Sequence, residues 1–330
     1  MAYTSSKTRA TTENKGNKMP LKLQKTETEN QLLTERIHHA KRYSLAIDKA
    51  LCVGCEICKT ICPREAIKIT KTEKKQGEKA QKPRIDIDME KCHYCGICNS
   101  ICPFGAIKVL IDGKNILSVV EKESFPELIR DIKVDTSKCD FNCLEYEKTC
   151  PLNLITIILR NPNGEEIKNI NDLTEEKKKN LKTEINIKTE SCPCCRLCEL
   201  KGPTDAIQVK PIFSGTLKIN QEKCPEGCRD CLDVCPITGA LYLSEDGKKV
   251  KVNELFCVYC GACRNVCPVE GALELQRTSI KHTPVKSGAW NKALEKLAST
   301  KELTKELRAK GMTKAKDTVD RRFEWRKKKE

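Results

Sequence analysis

Between Cys52 and Cys62 the chain reads CVGCEICKTIC, and Pro63 follows directly. Gaps of two, two and three residues separate the four cysteines. That spacing wraps three thiolates around three corners of a cubic four-iron, four-sulfur cluster, while the fourth cysteine points away and serves a different cluster. Such runs therefore come in pairs. The partner is CHYCGICNSIC, from Cys92 to Cys102, closed by Pro103. The chemistry these residues support is one-electron storage and transfer between neighbouring clusters.

Crossed ligation assigns one cluster to Cys52, Cys55, Cys58 and Cys102, and a second to Cys92, Cys95, Cys98 and Cys62. Near the other end of the cysteine-rich region, Cys224, Cys228 and Cys231 join Cys267, while Cys257, Cys260 and Cys263 join Cys235. Between these lies a departure. The loop CDFNCLEYEKTCP places Tyr146 where a third cysteine belongs, and CPCCRLCELKGP places Gly202 where a fourth belongs. Both losses fall on one cluster. Its twin keeps Cys150, Cys192, Cys195 and Cys198, so five sites are complete and Cys139, Cys143 and Cys194 are left over. Either the sixth site is lost, or Cys194 replaces a ligand and a three-cysteine or mixed-ligand cluster survives. If it is lost, the expected route from the first pair of sites to the last runs through a single central cluster.

Zinc and disulfides are the competing uses of so many cysteines. Zinc is tetrahedral and is usually held by two separated pairs, which explains runs of four closed by proline poorly. A disulfide framework belongs to secreted chains, and the opening MAYTSSKTRATTENKGNK lacks an apolar leader segment. No run reaches the roughly 20 apolar residues of a membrane span. A reducing cytoplasm is the expected compartment.

The elements that must position these loops form a repeat. Each of six units opens on a short alternating strand (LAID, IDID, IKVD, INIK, LKIN, VKVN) and closes on a second (AIKI, AIKV, LITI, AIQV, ALYL, ALEL). Paired in order, they give an α+β fold of three tandem bacterial-type two-cluster ferredoxin-like modules at 43–112, 132–212 and 213–277, the middle one degenerate. Polar inserts at Lys71 to Arg84, Ile111 to Asp131 and Asn161 to Thr183 read as surface loops or short helices. Residues 1–42 read as a polar arm, with an amphipathic helix from about Thr28 to Arg42 carrying Leu32, Leu33 and Ile37. Residues 278–330 read as a basic helical tail with Trp290, Leu294 and Leu297 on one face, suited to a partner. Gly96 and Gly261 read as positions needing positive φ. Tyr94 and Tyr259 read as shields of a cube, and His93 as solvated or as a donor toward cluster sulfur.

Aromatic residues make up only 4% of the chain and charged ones 32%. That is thin material for an ordinary core, so the 23 cysteines and their metal must supply folding free energy. The formal charge of +15 counts every cysteine as neutral. Five oxidised cubes at roughly −2 each would bring the loaded protein to about +5, which leaves nucleic-acid binding with little beyond the basic tail to rest on.

Six such units in one chain resemble the polyferredoxins of methanogenic archaea, over about residues 43–277. The closing CRNVCPVEGALEL with its Trp-bearing tail is most similar to the formylmethanofuran dehydrogenase subunit, which has more cluster units than this chain. The resemblance implies a low-potential electron conduit of methanogenesis, docked to formylmethanofuran dehydrogenase or hydrogenase subunits, with no catalytic site of its own. Two other readings compete. CPEGCRDC, from Cys224 to Cys231, also has the spacing of radical S-adenosylmethionine enzymes, which need an open iron corner and a barrel; Cys267 is available to close that corner and too little chain follows. A nucleic-acid-binding protein with structural clusters is the other, testable by salt-sensitive binding of the tail. No glycine-rich nucleotide loop supports a flavin or nicotinamide site.

Overall fold

Apolar and polar residues alternate through each segment flanking a cysteine loop, and a period of two lays one face of a strand on a core. The computed structural model, which describes residues 22–72, 74, 78–167, 181–285 and 297–298, folds these segments into nested antiparallel pairs. Along the first unit run β1 (Lys22–Glu27), β2 (Gln31–Ile37), β3 (Arg42–Asp48), α1 (Ile57–Ile61), β4 (Ile67–Thr70), β5 (Arg84–Ile87), α2 (Ile97–Ser100) and β6 (Ile107–Ile111). Inner strands β4 and β5 pair with each other, and outer strands β3 and β6 pair around them, with Leu45 opposite Val109 and Ile47 opposite Ile107.

The nesting recurs. After α3 (Ser118–Glu121) come β7 (Asp131–Val134), α4 (Glu145–Thr149), β8 (Ile155–Arg160), β9 (Lys182–Ile187), α5 (Leu197–Lys201) and β10 (Ile207–Lys210), with β8 on β9 and β7 on β10. Then follow β11 (Phe213–Ile219), α6 (Asp230–Val234), β12 (Leu241–Leu243), β13 (Val250–Val252), α7 (Ala262–Val266) and β14 (Leu273–Ile280), with β12 on β13 and β11 on β14. In each unit the first strand waits for the last.

Four of the short helices start on a left-handed residue: Glu56 (φ 63°), Gly96 (φ 84°), Arg196 (φ 66°) and Gly261 (φ 91°). This turn aims the cysteine loop back over the helix N-terminus. Glycine takes it without strain at two of the four places, as its sequence position leads one to expect.

The N-terminal segment corrects the expectation of a helix over Thr28 to Arg42. Residues 22–37 form the hairpin β1–β2, which adds to the first unit to give a four-stranded sheet in the order β1-β2-β3-β6. Leu32 and Thr34 both point inward and are fully buried, and the Thr34 hydroxyl donates to the Leu45 carbonyl. A buried threonine within a period of two is satisfied by a strand. The helical expectation put Leu32, Leu33 and Ile37 together, whereas the sheet buries Leu32 and leaves Leu33 and Ile37 half-buried.

The inserts are also less passive than their composition suggests. From 111–131, Phe125 and Leu128 enter the largest apolar core. Residues of the 71–84 insert reach the third unit, where Lys71 Nζ donates to the Cys267 carbonyl (2.9 Å), Lys74 pairs with Asp230, and the Ala80 amide donates to Asp233 Oδ2 (2.9 Å). At the C-terminus, Trp290 and Leu294 lie outside the described residues. Leu297 is buried in the largest core and its carbonyl accepts from Arg277 Nη1 at 3.3 Å, so this leucine is not free for a partner. Among the described residues no helix is long and apolar enough to cross a membrane.

Candidate metal centres

The cysteine loops curl over the helix starts and bring together thiols from opposite ends of each unit. Cys52, Cys55 and Cys58 line a cavity of about 350 Å³ with Cys102, walled by Ile57, Ile85, Phe104 and Ile107. Cys150 joins Cys192, Cys195 and Cys198 around a cavity of about 420 Å³. Cys235 joins Cys257, Cys260 and Cys263 around about 380 Å³, and Cys267 joins Cys224, Cys228 and Cys231 around about 330 Å³. Each set draws its fourth thiol from the other loop of its unit. The fifth set, Cys92, Cys95, Cys98 and Cys62, is drawn together in the same way: burial, then the nearness of Cys95 and Cys62, pushes the Cys92 thiol up to about 11.

The donor chemistry fits iron–sulfur cubes. Among the described residues no three Cys, His, Asp or Glu side chains are placed to chelate a single ion; the thiols stand around an apolar space, which suits a polynuclear guest better than one zinc. Burial drives the thiols well toward their neutral forms, with Cys195, Cys198, Cys231 and Cys235 pushed up to about 12 and Cys257 to about 11. In such a setting a bound cation is what makes the thiolate form favourable. Backbone amides already face ligand sulfurs: Ala66 N–H donates to Cys62 Sγ and Leu154 N–H to Cys150 Sγ, both at 3.4 Å, and Tyr94 N–H to Cys92 Sγ at 3.5 Å. Donors of this kind stabilise the more negative, reduced state of a cluster.

The degenerate site is filled by protein. Tyr146, on α4, is completely buried, and its hydroxyl donates to the Thr204 carbonyl and lies 3.1 Å from Thr204 Oγ1. A Cβ on Gly202 would lie 2.9 Å from Tyr146 Cζ and nearer still to Cε1. The same Cβ would also run into the Cys198 carbonyl, so both the ring and the end of the preceding helix leave room only for glycine. Cys139 and Cys143 are joined in a disulfide, and Cys143 Sγ lies 3.6 Å from Thr204 Oγ1.

Cys194 is free and occupies the positive-φ position of its loop (φ 56°), where other loops have Gly54, Tyr94, Gly227 and Tyr259. Hydrogen bonding from the Cys194 thiol holds Cys192 down to about 7, and the same contact pushes Cys194 up. Tyr94 and Tyr259 are buried beside their loops, and burial pushes the Tyr259 hydroxyl up to about 12. His93 is exposed. The hairpin supplies a feature hidden from sequence reasoning: Arg36 lies over the Tyr94 ring, 5.5 Å from its centroid, and donates to the Met89 carbonyl at 2.6 Å.

The units meet at their cysteine loops. One apolar core gathers Val53, Phe104, Leu197, Ile237, Phe256 and Val258 from all three, with Cys55, Cys102, Cys195, Cys235 and Cys260 packed in or against it. Asn265 Nδ2, in the third unit, donates to the Gly54 carbonyl of the first at 2.7 Å. The expectation of a route confined to the central cluster is thereby corrected: the first and third units touch directly, because residues of both loops share one core.

Comparison with known proteins agrees with this chemistry. Residues 51–106 and 216–268 each match the family described as 4Fe-4S dicluster domain. No curated protein matches the chain. Among solved structures, a chain of the formate dehydrogenase–heterodisulfide reductase–formylmethanofuran dehydrogenase complex from Methanospirillum hungatei is 32% identical, with a TM-score of 0.69, over 84% of this chain and 91% of that one. Fold and thiol sets together define a ferredoxin-type α+β protein that binds 4Fe-4S clusters and transfers electrons. At this identity and coverage the chain belongs to the polyferredoxin family of methanogenic archaea, as an electron-transfer subunit.

Proposed function

We propose that the chain is three tandem two-cluster modules, over 43–112, 132–212 and 213–277, holding five clusters on the thiol sets above and none at the sixth site. The observation that carries this reading is that four cavities are each ringed by three cysteines of one loop and one of the other. Each cube, when bound, supplies a one-electron couple at low potential. The protein's part is to hold the ligand loops within a shared core, exclude water with Ile, Val and Phe side chains, and present amides to sulfur.

The set of Cys52, Cys55, Cys58 and Cys102 belongs to the junction, since Cys55 and Cys102 pack with Cys195 of the second unit and with Cys235 and Cys260 of the third. Electrons entering at any module then reach either of the others through it. Cys267, which lines the cavity of Cys224, Cys228 and Cys231, occupies the corner that a radical S-adenosylmethionine enzyme leaves open. A host complex of the formylmethanofuran dehydrogenase type is favoured by the kinship with a chain of such an assembly, with the basic C-terminal tail of 278–330 as a docking segment, a reducing cytoplasm as the compartment, and no catalytic site in this chain. Anaerobic purification with iron quantified and co-purifying subunits identified tests it. About 20 irons per chain and recovery of redox subunits are expected, whereas about 24 irons in equivalent cubes would overturn the five-cluster assignment.

A further inference from the structure

Two arginines outside the cysteine loops reach into the seams where the units meet. Arg130 comes from the insert between the first and second units. Its Nε donates to the Cys192 carbonyl at 3.1 Å, and its Nη2 donates to the Cys102 carbonyl at 3.0 Å and the Pro103 carbonyl at 3.4 Å. One guanidinium thus spans a ligand residue of each of two clusters in different units. Arg277, on β14, donates from Nε to the Tyr259 carbonyl at 2.8 Å and from Nη2 to the Cys260 carbonyl at 2.7 Å. Its Nη1 donates to the Leu297 carbonyl at 3.3 Å, and the Cys260 loop it holds packs against Cys55 of the first unit in the junction core.

We propose that Arg130 and Arg277 are positioning residues that set the potentials at the junction. Arg130 bridges one pair of clusters, Arg277 holds the ligand loop of a third that packs against Cys55, and the cluster on Cys52, Cys55, Cys58 and Cys102 is the neighbour common to both. The inference rests on the cluster assignment above. Reduction adds one negative charge to a cube, and a fixed cation on the ligand backbone favours that charge in a site of low dielectric constant. The junction cluster gains from two guanidiniums, and the sets at Cys150 and Cys235 gain from one each. Other charges around it offset one another or are screened: Lys82 and Asp48 flank Cys52 with opposite signs, and Arg264, near Arg277, is exposed. The Arg130 fork also fixes the distance between the two loops it ties, which lysine cannot do with a single ammonium.

The test is an anaerobic redox titration of the full-length loaded protein followed by electron paramagnetic resonance, with iron measured in every sample. Arg130→Gln should lower the reduced-to-oxidised ratio of two clusters by about tenfold at fixed potential, a downward shift of about 59 mV. Arg277→Gln should do the same to two clusters, only one of them shared with the first variant. Lysine at either position keeps the charge and should leave the potentials near those of the parent, and at position 130 it should also alter the spin coupling between the tied clusters. If a glutamine variant loses iron, citrulline at that position, uncharged but nearly isosteric, supplies the same comparison. Potentials unmoved by glutamine or citrulline, with iron retained, overturn the proposal and leave the cluster assignment standing. A parent protein without low-potential cube signals overturns the assignment itself.

Discussion

In the middle unit, one half keeps four thiols around an apolar cavity of about 420 Å³, while the other packs a tyrosine ring against a glycine and ties its two remaining cysteines into a disulfide. The backbone plan is the same on both sides, with a short helix leading into a strand of a two-stranded sheet. What differs is the material at the centre. A ferredoxin-type half-unit needs a filled volume and satisfied polar groups, and Tyr146 provides both through its ring and its hydroxyl on Thr204. The comparison separates two roles of a cluster, which elsewhere coincide: it carries electrons and it is core.

The strongest way to break this comparison is to remove the metal. With iron chelated, the thiol-lined cavities lose their contents, and aromatic residues at 4% of the chain offer little to replace them. Far-UV circular dichroism should collapse and the thermal transition should lose cooperativity. Iron-free protein that keeps the holoprotein's transition would sink the idea that clusters serve as core.

A narrower cut sharpens the crossed arrangement. Cys102→Ala should damage the cluster shared with Cys52, Cys55 and Cys58, whose cavity it lines, and leave the set at Cys92, Cys95 and Cys98 closer to intact. Resonance spectra resolving the two sites decide the matter, and loss confined to the second set would reverse the assignment. Because Cys102 also lies in the junction core, transfer between units should fall further than the iron content does.

The smallest effect falls on the filled half. Tyr146→Ala should cost about 3–5 kcal/mol, as for other large aromatic truncations in a core, read as a lowered thermal midpoint of the loaded protein. Gly202→Ala should be damaging in the parent, where the new methyl meets both the Tyr146 ring and the Cys198 carbonyl, and less damaging once Tyr146 is Ala, when only the carbonyl clash is left. Equal cost in both backgrounds would show that the glycine answers to something other than the tyrosine.

Much of this site could be read in the sequence because cysteine spacing is set by the size of a cube, a local constraint that survives any context. The pairing of loops and the loss at Tyr146 and Gly202 follow from that spacing, and the strands that flank each loop follow from their alternation of apolar and polar residues. Three features did not. The reason for Gly202 needs the direction of a ring on another helix. The N-terminal hairpin was masked because Leu32, Leu33 and Ile37 also satisfy a helical period, while Thr34, buried at the centre of the strand, reads as polar surface. Arg130 lies in an insert whose composition is that of a solvated loop, and its value appears only where two carbonyls from distant loops converge on it.

The nested strand order also fixes a sequence of events during synthesis. Within each unit the inner pair is local, but β3 waits for β6 and β11 waits for β14 before the outer pair can form. The set on Cys52, Cys55 and Cys58 likewise lacks its fourth thiol until Cys102 leaves the ribosome. The same order holds for Cys224, Cys228 and Cys231, which wait for Cys267, so in the first and third units the leading loop stays one thiol short until the second loop has been made.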